Sequence, residues 1–388
     1  MLGEAAMNVE VVVVGAGPVG LATAVALRQN GHEVAVVDKL AAGANTSRAA
    51  VIHAGTMDVL ESIGVTKSLL ATGLPLPQFA IRDGDKLLAG FGFRSLRTNH
   101  PYTLTIPQTV TEAVLLERLE ELGGSVLRPR SAVGLTQDAN GAQVTLDTGD
   151  VINAQYVVAA DGVRSTIREL VGIAMPIGTP MLSASLIDVR IDGGLRTDEV
   201  TLYFAQAGVL VVAPFADGSF RLVAATPDAP EHPDVAYAQQ LVDVRGPKSE
   251  RPIVTDIVWG SRFRVYERVA DRYREGRVLL AGDAAHTHSP VGGQGMNLGL
   301  RDAVRLGGAL STALTSGDES ELDAYVVQGR AEAVEVVALA HRLTRVANAP
   351  RLLRPLRNLI LGRVGRSESA KQRVAQRIAG LAGSRDEG

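Results

Sequence analysis

Three stretches of this chain place residues where they could handle a phosphate-bearing ligand. In "VEVVVVGAGPVGLATAVALRQNGHEVAVVDK", Gly15, Gly17 and Gly20 stand at the spacing G-x-G-x-x-G, and Asp38 closes the next apolar run 18 residues after Gly20. Each glycine has its own job in such a loop: a tight turn, close approach of backbone to a pyrophosphate, and close packing of helix on strand. Pro18 and Val19 open a helix whose N-terminal amides and dipole favour an anion. Asp38 is placed to accept hydrogen bonds from a ribose. "AQYVVAADGVRSTIREL" sets Asp161 and Gly162 at the end of a second apolar strand, before a helix. "LLAGDAAHTHSPVGGQGMNLGL" sets Gly282 and Asp283 in the same kind of place, and its glycine-rich turn opens another helix. With 41 glycines in 388 residues, about half a G-x-G-x-x-G match per chain arises by chance. The surrounding strand, helix, second strand and terminal acid therefore carry the assignment. An aspartate at a strand end is also a common helix cap, but two such units beside the opening loop weaken that reading.

The elements that must hold these residues are alternating strands and helices, so the core is expected to be α/β. A second segment reads differently. "MLSASLIDVRI", "EVTLYFAQ", "GVLVVAPF" and "SFRLVAAT" alternate or run apolar at strand length, with Asp217-Gly218 as a hairpin turn. "QFAIRDGDKLLAGFGF" supplies another hairpin through Asp83-Gly84. The expected architecture is thus α/β (α+β overall): a Rossmann-like dinucleotide-binding domain, an inserted antiparallel-sheet domain, and C-terminal helices. The boundaries are 1–75, 105–175 and 270–320 for the first, 76–104 and 176–269 for the second, and 321–388 for the third.

Composition excludes several classes. There is no cysteine, which removes disulfide frameworks, Cys-based zinc sites and CxxC redox pairs, and fits a reducing, cytoplasmic setting. A net charge of -3, with both signs interspersed, gives no footprint for nucleic acid. The apolar run Val11–Leu27 contains three glycines and a proline and lacks the basic start of a signal peptide, so it reads as strand, turn and helix, with no integral membrane segment. A nicotinamide dehydrogenase would need a catalytic constellation that does not appear, and a flavin disulfide reductase would need a second G-x-G-x-x-G and a CxxC.

Five motifs in order now point further: GAGPVG, Arg48 in "NTSRAAVIHAGTMDVLESIG", Gln108 in "IPQTVTEAVLLERL", "ADGVRSTIR", and "LAGDAAHTHSPVGGQGMNLGLRDA". From about Val9 to about Leu310 the chain resembles the para-hydroxybenzoate hydroxylase family of flavoprotein monooxygenases, especially its aromatic and polyketide hydroxylases. The resemblance implies FAD as cofactor, NADPH or NADH as transient reductant, and O₂ as co-substrate. It implies reduction of the flavin, formation of a C4a-hydroperoxide, and oxygen transfer to an electron-rich carbon of an aromatic small molecule. A reductase, dehydrogenase or epoxidase on the same fold stays open, as does a nonenzymatic flavin-binding protein. Monomer and homodimer are both compatible.

The same resemblance assigns roles. Gly15, Gly17, Pro18, Val19 and Gly20 cradle the pyrophosphate and Asp38 the ribose, while Lys39 lines the adenine or is simply solvated. Arg48 lies near the phosphates or the nicotinamide path. Gln108 bonds the ribityl chain or pyrophosphate, and the backbone of Val133 meets adenine. Asp161 influences FAD and the passing nicotinamide, or caps the helix after it. Gly282 and Asp283 hold the ribityl end. Pro290 lies beside the isoalloxazine, and the amides of Gly293, Gly295, Met296 and Asn297 face its pyrimidine edge. Arg48, Pro290 and His288 are the flavin-proximal candidates, with no catalytic base identified. His286 and His288 beside Asp283 mimic a metal cluster, yet nothing supplies further ligands and the family uses no metal. His53 shares a helical face with Met57 and Leu60 and is expected in core packing or one layer behind the site. Phe93, Tyr102, Leu104, Phe204, Pro214, Phe215 and Arg221 are pocket candidates whose facing depends on register. Two departures stand out: Gly55, where many relatives carry arginine, and "DAVRLGGAL" after the late motif. The basic, amphipathic C-terminal stretch is expected to pack on the body as helix.

Overall fold

A computed structural model describes residues 7–43, 49–176, 182–226, 229–289, 292–347 and 349–381. Met7–Val14 is the hub of an eight-stranded sheet. It pairs in parallel with Val34–Val37 on one side and Val151–Ala159 on the other. Val126–Leu127 and Val278–Leu280 extend the parallel set outward. Val11, Val12 and Val13 are fully buried, the unbroken apolar run that a strand covered on both faces requires. Because these strands run the same way, the loops after Val14, Val37, Ala159 and Leu280 all emerge at one sheet edge. In open parallel sheets that edge is where ligands bind.

In chain order the helices are α1 (Pro18–Gln29), α2 (Ala54–Glu61), α3 (Thr66–Thr72), α4 (Gln108–Glu121), α5 (Thr166–Leu170), α6 (Val235–Arg245), α7 (Gln294–Ser316), α8 (Ser320–Ala347), α9 (Arg354–Arg366) and α10 (Glu368–Ile378). α1 packs against both α4 and α7. Its glycines and alanines permit this: a Cβ on Gly307 of α7 would lie 2.6 Å from the Ala26 methyl.

The second sheet has seven strands, in the order Ile253–Val265, Leu182–Asp192, Phe220–Ala225, Gly208–Pro214, Val200–Ala205, Gln78–Asp83, Lys86–Gly92. Neighbours are antiparallel except Val200–Ala205 and Gln78–Asp83, which pair in parallel. These two come from separate excursions of the chain, so no hairpin dictates their relative direction. Along Val200–Ala205 the side chains alternate between two cores, as a pleated strand requires. Tyr203 joins Leu210, Leu222 and the α6 residues Ala238 and Val242. Leu202 and Phe204 join Phe79, Phe91 and Phe93 on the other face, together with Val51, Ala54 and residues of α9 and α10. That second face closes against the segment beside the late glycine loop.

Candidate functional site

The opening loop is built by exclusion. Gly15 has φ +105°, and a Cβ there would sit 2.3 Å from the Ala160 carbonyl oxygen. A Cβ on Gly20 would meet the Gly15 carbonyl oxygen at 1.8 Å. Gly17 differs: a Cβ there meets nothing within 4 Å, and it caps α1 without any side-chain hydrogen bond. The helix start therefore faces open space with uncapped amides, an anion site in form. Asp38 ties this loop to its strand, since its Oδ2 accepts the Ala16 amide at 2.7 Å and its Oδ1 the Leu40 amide at 2.8 Å. Each carboxylate oxygen keeps a second lone pair for a ribose. Lys39 is exposed. Arg128, which sequence reasoning missed, donates from Nη2 to the Ala16 carbonyl at 3.3 Å and leaves its buried Nε without a partner. Val133 is the residue skipped by the ladder between Ala132–Gln137 and Ala142–Leu146, a bulge that turns its backbone away from pairing.

Asp161 adjoins this loop directly, its amide 2.8 Å from where a Gly15 Cβ would be. Its Oδ2 accepts the Ile167 amide at 3.2 Å and so supports the start of α5, whose cap is Ser165, while its Oδ1 is buried with no hydrogen-bond partner among the described residues. Burial holds its carboxyl above the ordinary aspartate range.

The late loop packs against the first at Val19. Gly282, at φ +59°, would place a Cβ 2.8 Å from Val19 Cγ2, and Gly299 one at 2.6 Å from the same carbon. Arg168 supports the turn, donating from Nη1 to the Ala284 carbonyl at 3.1 Å. Asp283 is half-buried. His286 is buried, with Nε2 2.6 Å from Asp302 Oδ2, so it pins the loop to α7. His288 donates from Nδ1 to its neighbour's carbonyl at Ser289, 2.9 Å away, and its buried Nε2 has no hydrogen-bond partner among the described residues. Burial pushes its pKa down to about 4. Pro290 and Arg48 lie outside the described residues.

Gly292 and Gly293 adopt φ +93° and +66°, and Gly293 caps α7 without a side-chain hydrogen bond. A Cβ on Gly293 would lie 2.3 Å from Val51 Cγ2. Gly295 and Met296 are half-buried. The Asn297 side chain turns inward: Nδ2 donates to Val51 and Gly293 carbonyls at 2.9 and 2.7 Å, and Oδ1 accepts the His53 amide at 2.7 Å. His53 Nε2 donates to the Gly292 carbonyl at 2.8 Å, and Nδ1 accepts from Thr103 Oγ1 at 3.2 Å. Burial lowers its pKa to about 4, which preserves that neutral tautomer. Gln108 grips the strand beside the loop rather than open space: its Oε1 accepts the Ala49 amide at 3.2 Å and its Nε2 donates to Glu112 at 2.9 Å.

Of the pocket candidates, Phe93 and Phe204 are core residues, and Arg221 is a buried clamp. The Arg221 guanidinium makes a bidentate pair with Asp188 at 2.6 and 2.7 Å and donates from Nη1 to the Ala49 carbonyl at 2.7 Å. The C-terminal helices pack on Lys86–Gly92 and reach the site. Gly55 donates its amide to the Ala379 carbonyl, and Gln294 Nε2 donates to the Ile378 carbonyl at 3.0 Å.

Two glycine-lined helix starts, packed together at Val19 at the carboxyl edge of a parallel sheet, have the form of a dinucleotide-binding site. A family model described as an FAD binding domain matches residues 8–340. The chain belongs to the class A FAD-dependent monooxygenases. A rifampicin monooxygenase of Streptomyces venezuelae is 36% identical over 343 residues, 84% of this chain and 69% of its own. A 12-dehydrotetracycline 5-monooxygenase/anhydrotetracycline 6-monooxygenase of Streptomyces rimosus is 35% identical over 357 residues, 85% of this chain and 68% of its own. The crystal structure of a p-nitrophenol 4-monooxygenase from Pseudomonas putida superposes with a TM-score of 0.86 at 26% identity, covering 98% of this chain and all of that one. The protein is thus an oxidoreductase that uses FAD and O₂. Among the described residues no helix is long and apolar enough to cross a membrane.

The residues present fit FAD. The open flank of Gly17, the uncapped starts of α1 and α7, and the unpaired buried Asp161 Oδ1 and His288 Nε2 are features a long polar cofactor would complete.

Proposed function

We propose that the chain takes electrons from NADPH or NADH and hydroxylates an aromatic or polyketide-like small molecule between the late loop and the seven-stranded sheet. The observation that carries this is the junction at Val19, which brings Gly17 at one helix start and Gly282 in the late turn onto one packed unit. The two relatives quoted above, named for rifampicin and for 12-dehydrotetracycline and anhydrotetracycline, support the substrate class.

FAD, when bound, supplies electron acceptance from the nicotinamide and activation of O₂. The chain does the rest. The start of α1 holds the pyrophosphate by amide donors and dipole, with Arg128 beside it. Asp38 holds the ribose and Val133 offers backbone to the adenine. The amides from Gly293 to Asn297 stabilise negative charge at the pyrimidine edge without donating a proton, because a backbone amide does not ionise. Asn297 and His53 keep those amides aimed by tying the loop to Val51 and Thr103. The Phe79–Phe93–Phe204 face and the C-terminal helices exclude water. Gly282 and Asp283 would position the ribityl side, and Asp161 the reductant side.

The test is to purify the protein, measure bound FAD, and follow NADPH and NADH oxidation over a panel of phenols, aromatic polyketides and antibiotics under labelled O₂. One labelled oxygen atom in a product supports the reading; nicotinamide oxidation yielding only peroxide with every compound overturns it.

A further inference from the structure

One polar cluster lies away from the glycine loops. Asp58 and Glu61 stand one turn apart on α2, and His100 comes from the segment leading into Thr103–Thr105. One ligand-type atom from each residue lies within 4.8 Å of the others. Clustered carboxylates alone need no ion, so the observation that matters is His100. It is 8% exposed, and its Nε2 is buried with no hydrogen-bond partner among the described residues. That nitrogen points to Glu61 Oε2 at 3.5 Å, beyond normal hydrogen-bond range. Asp58 Oδ1 is also buried and unpaired.

Asp58 and His100 are anchored from their far sides, and the Glu61 oxygen that faces His100 is itself held in place. Thr98 Oγ1 donates to Asp58 Oδ2 at 2.6 Å and accepts the His100 amide at 3.0 Å. Asn99 Nδ2 donates to Glu61 Oε2 at 3.2 Å. His100 Nδ1 lies 2.9 Å from the Tyr102 hydroxyl. Burial, with the charges of Asp58 and Glu61, raises the Tyr102 phenol and keeps it protonated. Tyr102 thus engages Nδ1, and Nε2 is the ring nitrogen that faces the carboxylates. Metal-bound histidines are typically oriented by such a bond on the far ring nitrogen.

We propose that Asp58, Glu61 and His100 form a divalent metal site, one imidazole nitrogen and two carboxylate oxygens with water completing the shell, suited to Zn²⁺. The ion neutralises two clustered acids and ties α2 to the segment that leads to Thr103. Thr103 in turn bonds His53, which bonds Gly292, so the site braces the wall of the late loop. Its role is structural, independent of which substrate is oxidised.

The experiment uses tag-free, full-length, FAD-loaded protein freed of metal by a chelator and titrated with Zn²⁺ alone. Glu61 has an exposed side chain, so Glu61→Gln leaves folding and FAD content intact; His100→Gln is the second variant. We expect one equivalent of Zn²⁺, bound at least tenfold more weakly in each variant. We also expect a Zn²⁺-dependent rise in melting temperature that Glu61→Gln abolishes. Absence of a saturable equivalent, or an affinity indifferent to Glu61→Gln, overturns the proposal. So does a His100 imidazole NMR signal that titrates as an ion-pair partner and ignores Zn²⁺.

Discussion

The amide of Gly55 donates to the carbonyl of Ala379 at 2.8 Å, so the first turn of α2 touches the end of the C-terminal helix pair backbone to backbone. A Cβ on Gly55 would lie 2.9 Å from the Ala379 oxygen and 3.0 Å from the Gly380 oxygen. A long side chain such as arginine has no room at this position. Gly55→Arg should undock α10, cost about 1–3 kcal/mol of stability, and speed proteolytic loss of residues 349–381. A variant as protease-resistant as the wild type would show that the contact does not hold the helices.

Gly282→Ala adds both strain at φ +59° and a methyl 2.8 Å from Val19. The expected cost is about 1–3 kcal/mol, read as weaker FAD retention through gel filtration. Adding Val19→Ala should restore part of the flavin-to-protein absorbance ratio, because it removes the clash but not the strain. Equal retention in single and double variants would argue against Val19 as the junction.

Arg221→Met leaves Asp188 buried opposite an apolar chain. Removing one partner of such a pair costs about 3–5 kcal/mol, measurable by urea unfolding. Arg221→Met combined with Asp188→Leu should cost less than the single change, which double-mutant analysis can establish.

The fold holds His53 neutral, with its pKa lowered to about 4 by burial. Below about pH 6.5 the unfolded chain binds a proton that the folded chain refuses. This contribution to stability is therefore complete above pH 6.5 and is lost as the pH falls toward 4, by up to about 3 kcal/mol. His288 acts in the same direction. Asp161, shifted upward, acts in the opposite sense at lower pH, where protonation favours the fold. Urea midpoints from pH 7 to pH 5 should fall, and His53→Gln should flatten the slope. A flat wild-type profile would show that His53 is not held neutral.

The two glycine loops were legible because their spacing is a local pattern, although the contacts that exclude a side chain come from far along the chain, Ala160 for Gly15 and Val19 for Gly282. Asp38, too, stands where the strand must end. What escaped notice is long-range. Nothing near Arg128 announces that it reaches Ala16, and nothing near Asn297 says that its side chain will be spent on Val51 and His53 rather than on a ligand. Phe93 and Phe204 looked like pocket linings since aromatic residues on a strand read the same whether they face a ligand or a helix. Only the packing of α9 and α10 decides between these, and that depends on Gly55, hundreds of residues away.

The carbonyl of Ala49 is shared between Arg221, rooted in the seven-stranded sheet, and the amide of Gln108, rooted at the start of α4. Two lobes thus pull on one oxygen. The start of α4 and the strand Phe220–Ala225 are therefore coupled in position through the backbone at Ala49.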